Sequence, residues 1–344
     1  MNNNNIKRKN HYVSQAYLKR WESSFKKIWT YNTLVSEDKV PLWKERSISG
    51  IAYRPHLYTE IVDGNESDEI ENWFEKEYET PAEKVIEKVI FNRRMSPDDW
   101  DILVRFLAAQ DVRTPVRYLQ HQKLMEEKLP DSIEETLEEL KQLIESNSSL
   151  DIISGKDYSE INTKFPMKVI TTFEEGKEFS TIEAKVLIGR KSWLSSFPRL
   201  LKDTANVLHN HKWTIMLPAK GLTWITSDNP VIRLNAYGLG EYDLLGGWGN
   251  KGGDLFLPLS PHHILYTQIG NKHPPRRGTR FSLEHTKMIR RFSAENAFRM
   301  IFSNTPDMEI EKIRSRIVDN NQYRKEEMDR EEWHQYQSLA EKEY

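Results

Sequence analysis

Residues 224–231 run Trp224-Ile225-Thr226-Ser227-Asp228-Asn229-Pro230-Val231, a short apolar group followed by four polar residues and a proline. An apolar run bounded by Gly221 and Pro230 predicts a buried strand. The proline also biases Asn229 towards extended or turn geometry. We therefore expect Asp228 and Asn229 to lie where a core strand ends, at the rim of a pocket. The alternative is an Asx-type turn, in which both side chains only satisfy backbone donors.

The rest of the second half combines strands and helices. Apolar runs predict strands at 213–217, 222–227, 255–261 and 264–269. Between them, segment 238–253 holds seven of the chain's 15 glycines, which predicts a mobile loop. Apolar groups at helical spacing predict helices over 181–211 and 281–303.

The first half is mainly helical. Ser96-Pro97-Asp98-Asp99 is typical of a helix start, with a serine cap, a proline in the first turn and acidic residues after it. We expect this helix to kink at Pro115 and to end at Pro130. The other elements predicted from the pattern are a helix from Val13, strands at 27–31, 51–61 and 164–173, and helices at 67–93, with a break near Pro81, and at 132–145.

Together these elements predict an α+β protein, mostly helical, with a small and mainly antiparallel sheet in the second half. We expect a disordered N-terminus over 1–9 and a single composite domain over 10–303. Segment 147–157 is rich in serine and poor in apolar groups, which predicts a linker or lid. Residues 304–344 form a charged helix or tail that is a candidate surface for a protein partner.

The composition excludes several classes of protein. The chain has 344 residues, of which 30% are charged, and its formal net charge is only −2, so no global field attracts nucleic acid or a membrane. It contains no cysteine, which excludes disulfides, a thiolate nucleophile and cysteine-bound zinc. The start, residues 1–10, is rich in asparagine and unlike a signal peptide. No apolar run approaches the roughly 20 residues that span a bilayer. We therefore expect a soluble cytoplasmic protein without a membrane partner.

Polar side chains on otherwise apolar elements are the candidates for chemistry. His11 and Gln15 lie four residues apart and share one face if that segment is helical. Histidine is the natural general acid or base at neutral pH, and the alternative is a structural histidine. Asn296 and Arg299 lie on the predicted helix 281–303, where they would line a pocket or join a structural network.

Gln110 and Arg113 lie three residues apart on the long predicted helix. An arginine in this position can hold a phosphate or a carboxylate through two parallel hydrogen bonds. The alternative is an ion pair with the acidic helix that follows.

Several known signatures are absent. The stretch Gly246–Gly253 lacks the spacing of a P-loop or a dinucleotide fingerprint, and it precedes a strand rather than a helix. The pairs His209/His211 and His262/His263 lack the helical i, i+4 spacing of a zinc protease. Glu183-Ala184-Lys185 matches the acid-x-lysine element of restriction-type nucleases, but three-residue matches are common by chance.

Four segments together are more specific than any one of them. They are His11-Tyr12-Val13-Ser14-Gln15-Ala16-Tyr17-Leu18, Gln110-Asp111-Val112-Arg113-Thr114-Pro115, Thr226-Ser227-Asp228-Asn229-Pro230 and Pro258-Leu259-Ser260-Pro261. Their order and spacing resemble the bacterial family called domain of unknown function 4238, over about residues 8–303. Ser14 departs from the proline that is usual in the family. The resemblance groups His11, Gln15, Gln110, Arg113, Asp228, Asn229 and Asn296 into one site and implies no particular reaction.

From these residues we expect a bacterial nuclease-like phosphodiesterase that acts on nucleic acid or a nucleotide, in the role of a toxin or phage-defence effector. His11 would be the general acid or base, and Asp228 would orient it or bind a divalent metal ion as cofactor. Arg113 and Gln110 would hold the phosphate. Gln15, Asn229, Asn296 and Arg299 would complete the substrate site. The alternatives are a non-catalytic module that binds a ligand or a protein through the same polar cluster, and a structural polar network.

Overall fold

The computed structural model describes residues 6–23, 26–62, 64–146, 166–173, 180–238 and 240–343. Helices account for 45% of the chain and strands for 23%, so the class is α+β. The predicted linker or lid at 147–157 lies outside the described residues. None of the described helices is both long enough and apolar enough to cross a membrane.

The described α-helices vary from one turn to more than eight. In chain order they are α1 (Gln15–Leu18), α2 (Glu69–Phe74), α3 (Thr80–Ile90), α4 (Pro97–Val112), α5 (Pro115–Ser146), α6 (Arg190–Pro198), α7 (Asn206–His209), α8 (Leu283–Asn296), α9 (Met308–Ile313) and α10 (Asn320–Lys342). Tighter or wider turns extend α1 over 19–21, join α2 to α3 over 75–79 and extend α6 over 199–204.

The described strands are mostly short. In chain order they are β1 (Lys9–His11), β2 (Lys27–Asn32), β3 (Leu34–Val35), β4 (Trp43–Ser47), β5 (Tyr53–Pro55), β6 (Glu60–Val62), β7 (Asn65–Ser67), β8 (Met167–Phe173), β9 (Ser180–Val186), β10 (Thr214–Met216), β11 (Thr226–Ser227), β12 (Ile232–Gly238), β13 (Glu241–Asp243), β14 (Asp254–Ser260), β15 (His263–Gln268), β16 (Met300–Ser303) and β17 (Ile317–Val318).

Two of the described sheets have four or more strands, and both are antiparallel. One has the order β10–β15–β14–β12–β13 and lies wholly in the second half of the chain. The other has the order β11–β16–β2–β4, so it combines early and late strands. The expected sheet of the second half is therefore only part of the sheet structure. The remaining strands pair in twos: β1 with β5, β6 with β7, β8 with β9, and β3 with β17 in parallel.

The helix predicted to run from Ser96 past Pro115 is in fact two helices. Its start is confirmed, because the Ser96 hydroxyl accepts from the Asp99 amide at 3.2 Å and the Asp99 carboxylate accepts from the Ser96 amide at 2.8 Å. The chain leaves α4 after Val112 and begins α5 at Pro115. A proline disfavours helical geometry in the residue before it and suits the first turn of a new helix. The predicted end at Pro130 was wrong, since α5 continues through it.

Two other predicted helices are partly strands. The segment 281–303 forms α8 only to Asn296 and then turns into β16, which pairs with both β11 and β2. The segment 181–211 begins as β9, paired with β8 along its whole length, and becomes helical only at Arg190. In both segments, pairing with another strand overrides an apolar spacing that also fits a helix. The predicted break near Pro81 is absent, because that proline sits in the first turn of α3.

The predicted loop and tail are both attached to the body of the protein. The described loop residues include β13, and the Gly246 amide donates to the Arg233 carbonyl at 3.1 Å. Beyond residue 304, α10 buries Trp333 and places Glu341 in a buried ion pair with Arg190. At the other end, residue 9 already belongs to β1, so the expected disorder does not extend to that residue.

Candidate functional site

The corner between α4 and α5 contacts two of the other three segments singled out in the sequence, the one from His11 and the one that contains Asn229. Arg113 and Thr114 form this corner, and both are buried. The Tyr58 hydroxyl donates to the Arg113 carbonyl at 2.6 Å, which satisfies a carbonyl at the helix end. The corner therefore holds two polar side chains in fixed positions between the N-terminal segment and the end of β11.

Each guanidinium nitrogen of Arg113 has a hydrogen-bond partner, and two of the three bonds hold the N-terminal segment. Its Nε donates to the Tyr12 carbonyl and its Nη2 to the His11 carbonyl, both at 3.1 Å, and its Nη1 pairs with Glu79 at 2.5 Å. The guanidinium also lies over the Phe74 ring, 5.1 Å from its centre. Its described contacts all lie within the protein, and the phosphate-binding role stays a prediction.

Gln110 and Glu79 complete this attachment. The Gln110 amide donates to the Tyr12 carbonyl at 2.6 Å and accepts from the Ser14 amide at 3.5 Å. Glu79 also accepts from the Ser14 hydroxyl at 2.7 Å. Burial alone would raise the pKa of Glu79, but Arg113 and Ser14 outweigh it and the pKa lies below its ordinary value. The pair is thus an ionised carboxylate beside an ionised guanidinium.

Asp228 lies at the end of β11, as the sequence predicts, and is completely buried. Its Oδ1 accepts from the Phe298 amide at 2.8 Å, and its Oδ2 accepts from the Arg299 and Met300 amides at 2.7 and 2.9 Å. Burial raises its pKa to about 6, against the opposing effect of these three amides. The carboxylate therefore binds the backbone at the start of β16. This fits the alternative in which the Asp228 side chain satisfies backbone donors, although the donors lie across the sheet and not within a turn.

The side chains of Asn229 and Asn296 each donate to the main-chain carbonyl of the other residue. The Asn229 side chain donates to the Asn296 carbonyl at 3.0 Å, and the Asn296 side chain donates to the Asn229 and Val231 carbonyls at 2.7 and 2.9 Å. The Asn229 oxygen accepts from the Thr114 hydroxyl at 3.2 Å. This last bond joins the α4–α5 corner to the end of β11.

Arg299 differs from the other predicted residues. Its amide contributes to the Asp228 contact, but its guanidinium forms a two-point ion pair with Glu326 on α10, at 2.6 and 2.8 Å. The side chain is partly exposed. Arg299 thus joins the signature region to α10, and its predicted role in substrate binding stays a prediction.

His11 and Gln15 meet as their spacing predicts, with the Gln15 amide 3.4 Å from His11 Nδ1. His11 lies in β1 and α1 begins only at Gln15, so the two do not share a helix. The other nitrogen, Nε2, is buried and makes no hydrogen bond of regular geometry with the described residues, although the Ser49 backbone lies close enough to the ring to favour its protonated form. Burial, together with the nearby charge of Lys9, lowers the pKa of His11 to about 4, so the imidazole is neutral at pH 7.

This pKa predicts a measurable pH dependence. Between about pH 6.5 and pH 4 the unfolded chain protonates His11 while the folded protein does not, so the free energy of unfolding falls as the pH falls. His11→Gln removes this titrating group. The slope of the unfolding free energy against pH, expressed as the number of protons taken up on unfolding, should therefore fall by about one. Denaturant titrations of both proteins at several pH values measure it. Equal slopes in the two proteins would contradict the burial of His11. The raised pKa of Asp228 changes the unfolding free energy with pH in the opposite sense, but Asp228 is present in both proteins, so the comparison is unaffected.

Some members of the network carry no signal in the sequence. Glu79 belongs to a run of charged residues that is typical of a solvated face, and Thr114 lies in the second of the four segments without being singled out as a site residue. Tyr17 lies in the first of the four segments, but the sequence did not single out its hydroxyl, which lies 2.7 Å from the Thr226 hydroxyl. The sequence analysis identified this part of the protein only through the neighbouring residues Arg113 and Asp228.

Asp228 was expected to orient His11 or to bind a divalent metal ion, but both of its oxygens already accept backbone amides. Among the described residues, the group whose ligand atoms lie within 4.8 Å of one another is His56, Glu66 and His334. The two imidazole rings stack, with centres 3.6 Å apart and planes within 10°. A metal lies near the plane of each imidazole that binds it, so parallel stacked rings do not converge on one ion. Arg190 also donates to His334 Nδ1 at 2.8 Å. The donor set therefore does not fit a metal without rotation of a ring.

Comparison with known proteins gives one assignment. No curated protein and no solved structure matches this chain. The model of a family described as a protein of unknown function, DUF4238, matches residues 9–307. The match includes every residue of the network from His11 to Arg299 and stops before α10. The chain therefore belongs to the DUF4238 family.

Proposed function

We propose that this protein is a nuclease-like phosphodiesterase that acts on nucleic acid or a nucleotide, with His11 as the general acid or base. The observation that carries the proposal is His11 Nε2, a buried nitrogen that makes no hydrogen bond of regular geometry with the described residues. Buried polar atoms normally have partners, and an unpaired one is a candidate for a functional role. An imidazole that is neutral at pH 7 can accept a proton from an attacking water or hydroxyl.

In this proposal the remaining signature residues position His11. Arg113 binds the His11 carbonyl, and both Arg113 and Gln110 bind the next carbonyl along the chain. Asp228 and Asn229 fix the adjoining strand ends. A bacterial toxin or phage-defence effector in the cytoplasm is the biological setting that we favour, because such proteins attack the nucleic acids of the cell that contains them.

His11→Ala tests the proposal. General acid–base catalysis typically contributes 10²–10⁴-fold in rate, so we expect the variant to lose activity by about that factor. The measurement is the toxicity of the expressed protein in bacteria, with the integrity of cellular DNA and RNA as readout. His273→Ala, at an exposed histidine, is the matched control and should retain full activity. Full activity of the His11 variant would contradict the catalytic role.

A non-catalytic binding module is the second candidate. It is favoured by the pKa of His11, which burial lowers to about 4, because so weak a base accepts a proton poorly at pH 7. In that case the wild-type protein turns over no nucleic acid or nucleotide. His11→Ala then weakens the binding of a ligand and changes no reaction rate. The same assays on the wild-type protein therefore separate the two candidates.

A further inference from the structure

A second polar cluster lies where the start of α5 faces β12 and the glycine-rich loop. At its centre is Asp111, a buried carboxylate. Its Oδ1 accepts from Arg117, with Nε at 3.0 Å, and its Oδ2 accepts from the Trp248 indole at 2.8 Å. Arg233 lies against the same Oδ2, at 3.6 Å from its Nη1. Two arginines thus share one carboxylate.

The charges of this cluster do not balance. The charged groups that act on Arg233 among the described residues are Asp111 and Arg117, one negative and one positive. Together the three residues carry one excess positive charge in a mostly buried place. Burial and the charge of Arg117 lower the pKa of Arg233 to about 10, despite the attraction of Asp111. A buried charge without full compensation is costly to the folded state, so it calls for a counter-ion.

Arg233 also has a free donor. Its Nε is buried and has no hydrogen-bond partner among the described residues. The Arg233 and Arg117 side chains are 17% and 11% exposed, so part of each faces solvent although the Arg233 Nε itself is buried. The Gly246 amide fixes the neighbouring loop to the Arg233 carbonyl, and a side chain at 246 would collide with the Arg233 backbone. The loop is therefore held beside the cluster.

We propose that Arg117 and Arg233 form an anion-binding site for a phosphate group. Two guanidinium groups with one shared carboxylate leave donors and one positive charge for a phosphate oxygen, and arginine suits phosphate because its planar donors match that geometry. Both arginines lie outside the proposed catalytic group, Arg117 on α5 and Arg233 on β12. Binding there requires no turnover.

Thermal unfolding with and without inorganic phosphate tests the site. A ligand that binds only the folded protein raises its stability with concentration. We expect phosphate to raise the Tm of the wild-type protein, and Arg233→Gln to weaken phosphate binding at least tenfold. Arg276→Gln, at an exposed arginine, is the matched control and should behave as wild type. A 5′-mononucleotide in place of phosphate identifies the source, since tighter binding indicates a nucleotide and equal binding indicates a free phosphate.

The stability of Arg233→Gln without ligand provides a second readout. If Arg233 serves to bind an anion, its replacement by glutamine removes the excess positive charge. The variant without phosphate should then be at least as stable as the wild type without phosphate. A marked loss of stability would show that Arg233 is a structural contact and would overturn the proposal. So would an equal response to phosphate in all three proteins, or no response in the wild type. These results leave the His11→Ala experiment unaffected, so the two proposals fail separately.

Discussion

Replacement of Asp228 by alanine should lower the free energy of unfolding by about 3–5 kcal/mol, because it leaves buried backbone donors without partners. The carboxylate is fully buried and accepts three amides, two just before β16 and one at its first residue. Each unsatisfied buried donor costs about 1–3 kcal/mol, with partial relief if water enters the cavity. Denaturant unfolding, followed by circular dichroism, measures the loss.

Asp228→Asn distinguishes the acceptor from the shape of the side chain. The amide keeps the volume, but its NH₂ group would face at least one amide donor, so we expect this variant to lose about 2–3 kcal/mol as well. Asp38→Ala, at an exposed aspartate, is the control and should change stability by less than about 0.5 kcal/mol. Wild-type stability in Asp228→Asn would show that the carboxylate is not a structural acceptor, and it would return Asp228 to the list of candidate ligands.

Replacement of Arg113 by alanine should also cost about 3–5 kcal/mol, since it leaves the mostly buried Glu79 carboxylate without its charged partner. The same change removes the donors to the main chain of His11 and Tyr12. We therefore expect the N-terminal segment to detach first. Hydrogen exchange should show faster exchange of the Tyr12 amide, which donates to the Ala52 carbonyl at 3.0 Å.

A double-mutant cycle isolates the ion pair. Glu79→Gln removes the carboxylate charge, so the double variant Glu79→Gln with Arg113→Ala should be less destabilised than the sum of the single variants. We expect a coupling of about 1–3 kcal/mol between the two positions, as is typical of residues in one polar network. Additive effects would show that Arg113 stabilises the fold through the carbonyls alone.

The sequence predicts the position of Asp228 better than its role. An apolar run before a proline is a local pattern, and it correctly places the aspartate at a strand end. Its partners are backbone amides 70 or more residues away. Every residue type except proline has such an amide, so the partners cannot be identified from their side chains. For the same reason the pattern could not separate a pocket rim from a buried contact.

The helix boundaries show a second limit. The proline at 115 was correctly identified as a disturbance, but the sequence does not say whether a helix bends or restarts there. The segment after Asn296 has apolar residues that fit a helix and a strand alike, and its pairing with β2 decides the outcome. His11 and Gln15 were paired from helical spacing, and they do meet, although a strand and the start of a helix bring them together.

The network divides the signature residues into two groups. Arg113, Asp228, Asn229 and Asn296 bind other parts of the protein through nearly all of their polar atoms, whereas His11 keeps a free nitrogen. The first group should therefore be needed for folding and the second for function. This division explains how polar residues can mark a family without forming an open catalytic cluster.

The most direct test compares the unfolding free energies of His11→Ala and Asp228→Ala under the same conditions. We predict that the histidine variant loses at most about 1–2 kcal/mol, because the removed ring forms few polar contacts, while the aspartate variant loses about 3–5 kcal/mol. The opposite order, or equal losses in the two variants, would contradict the division between structural and functional residues.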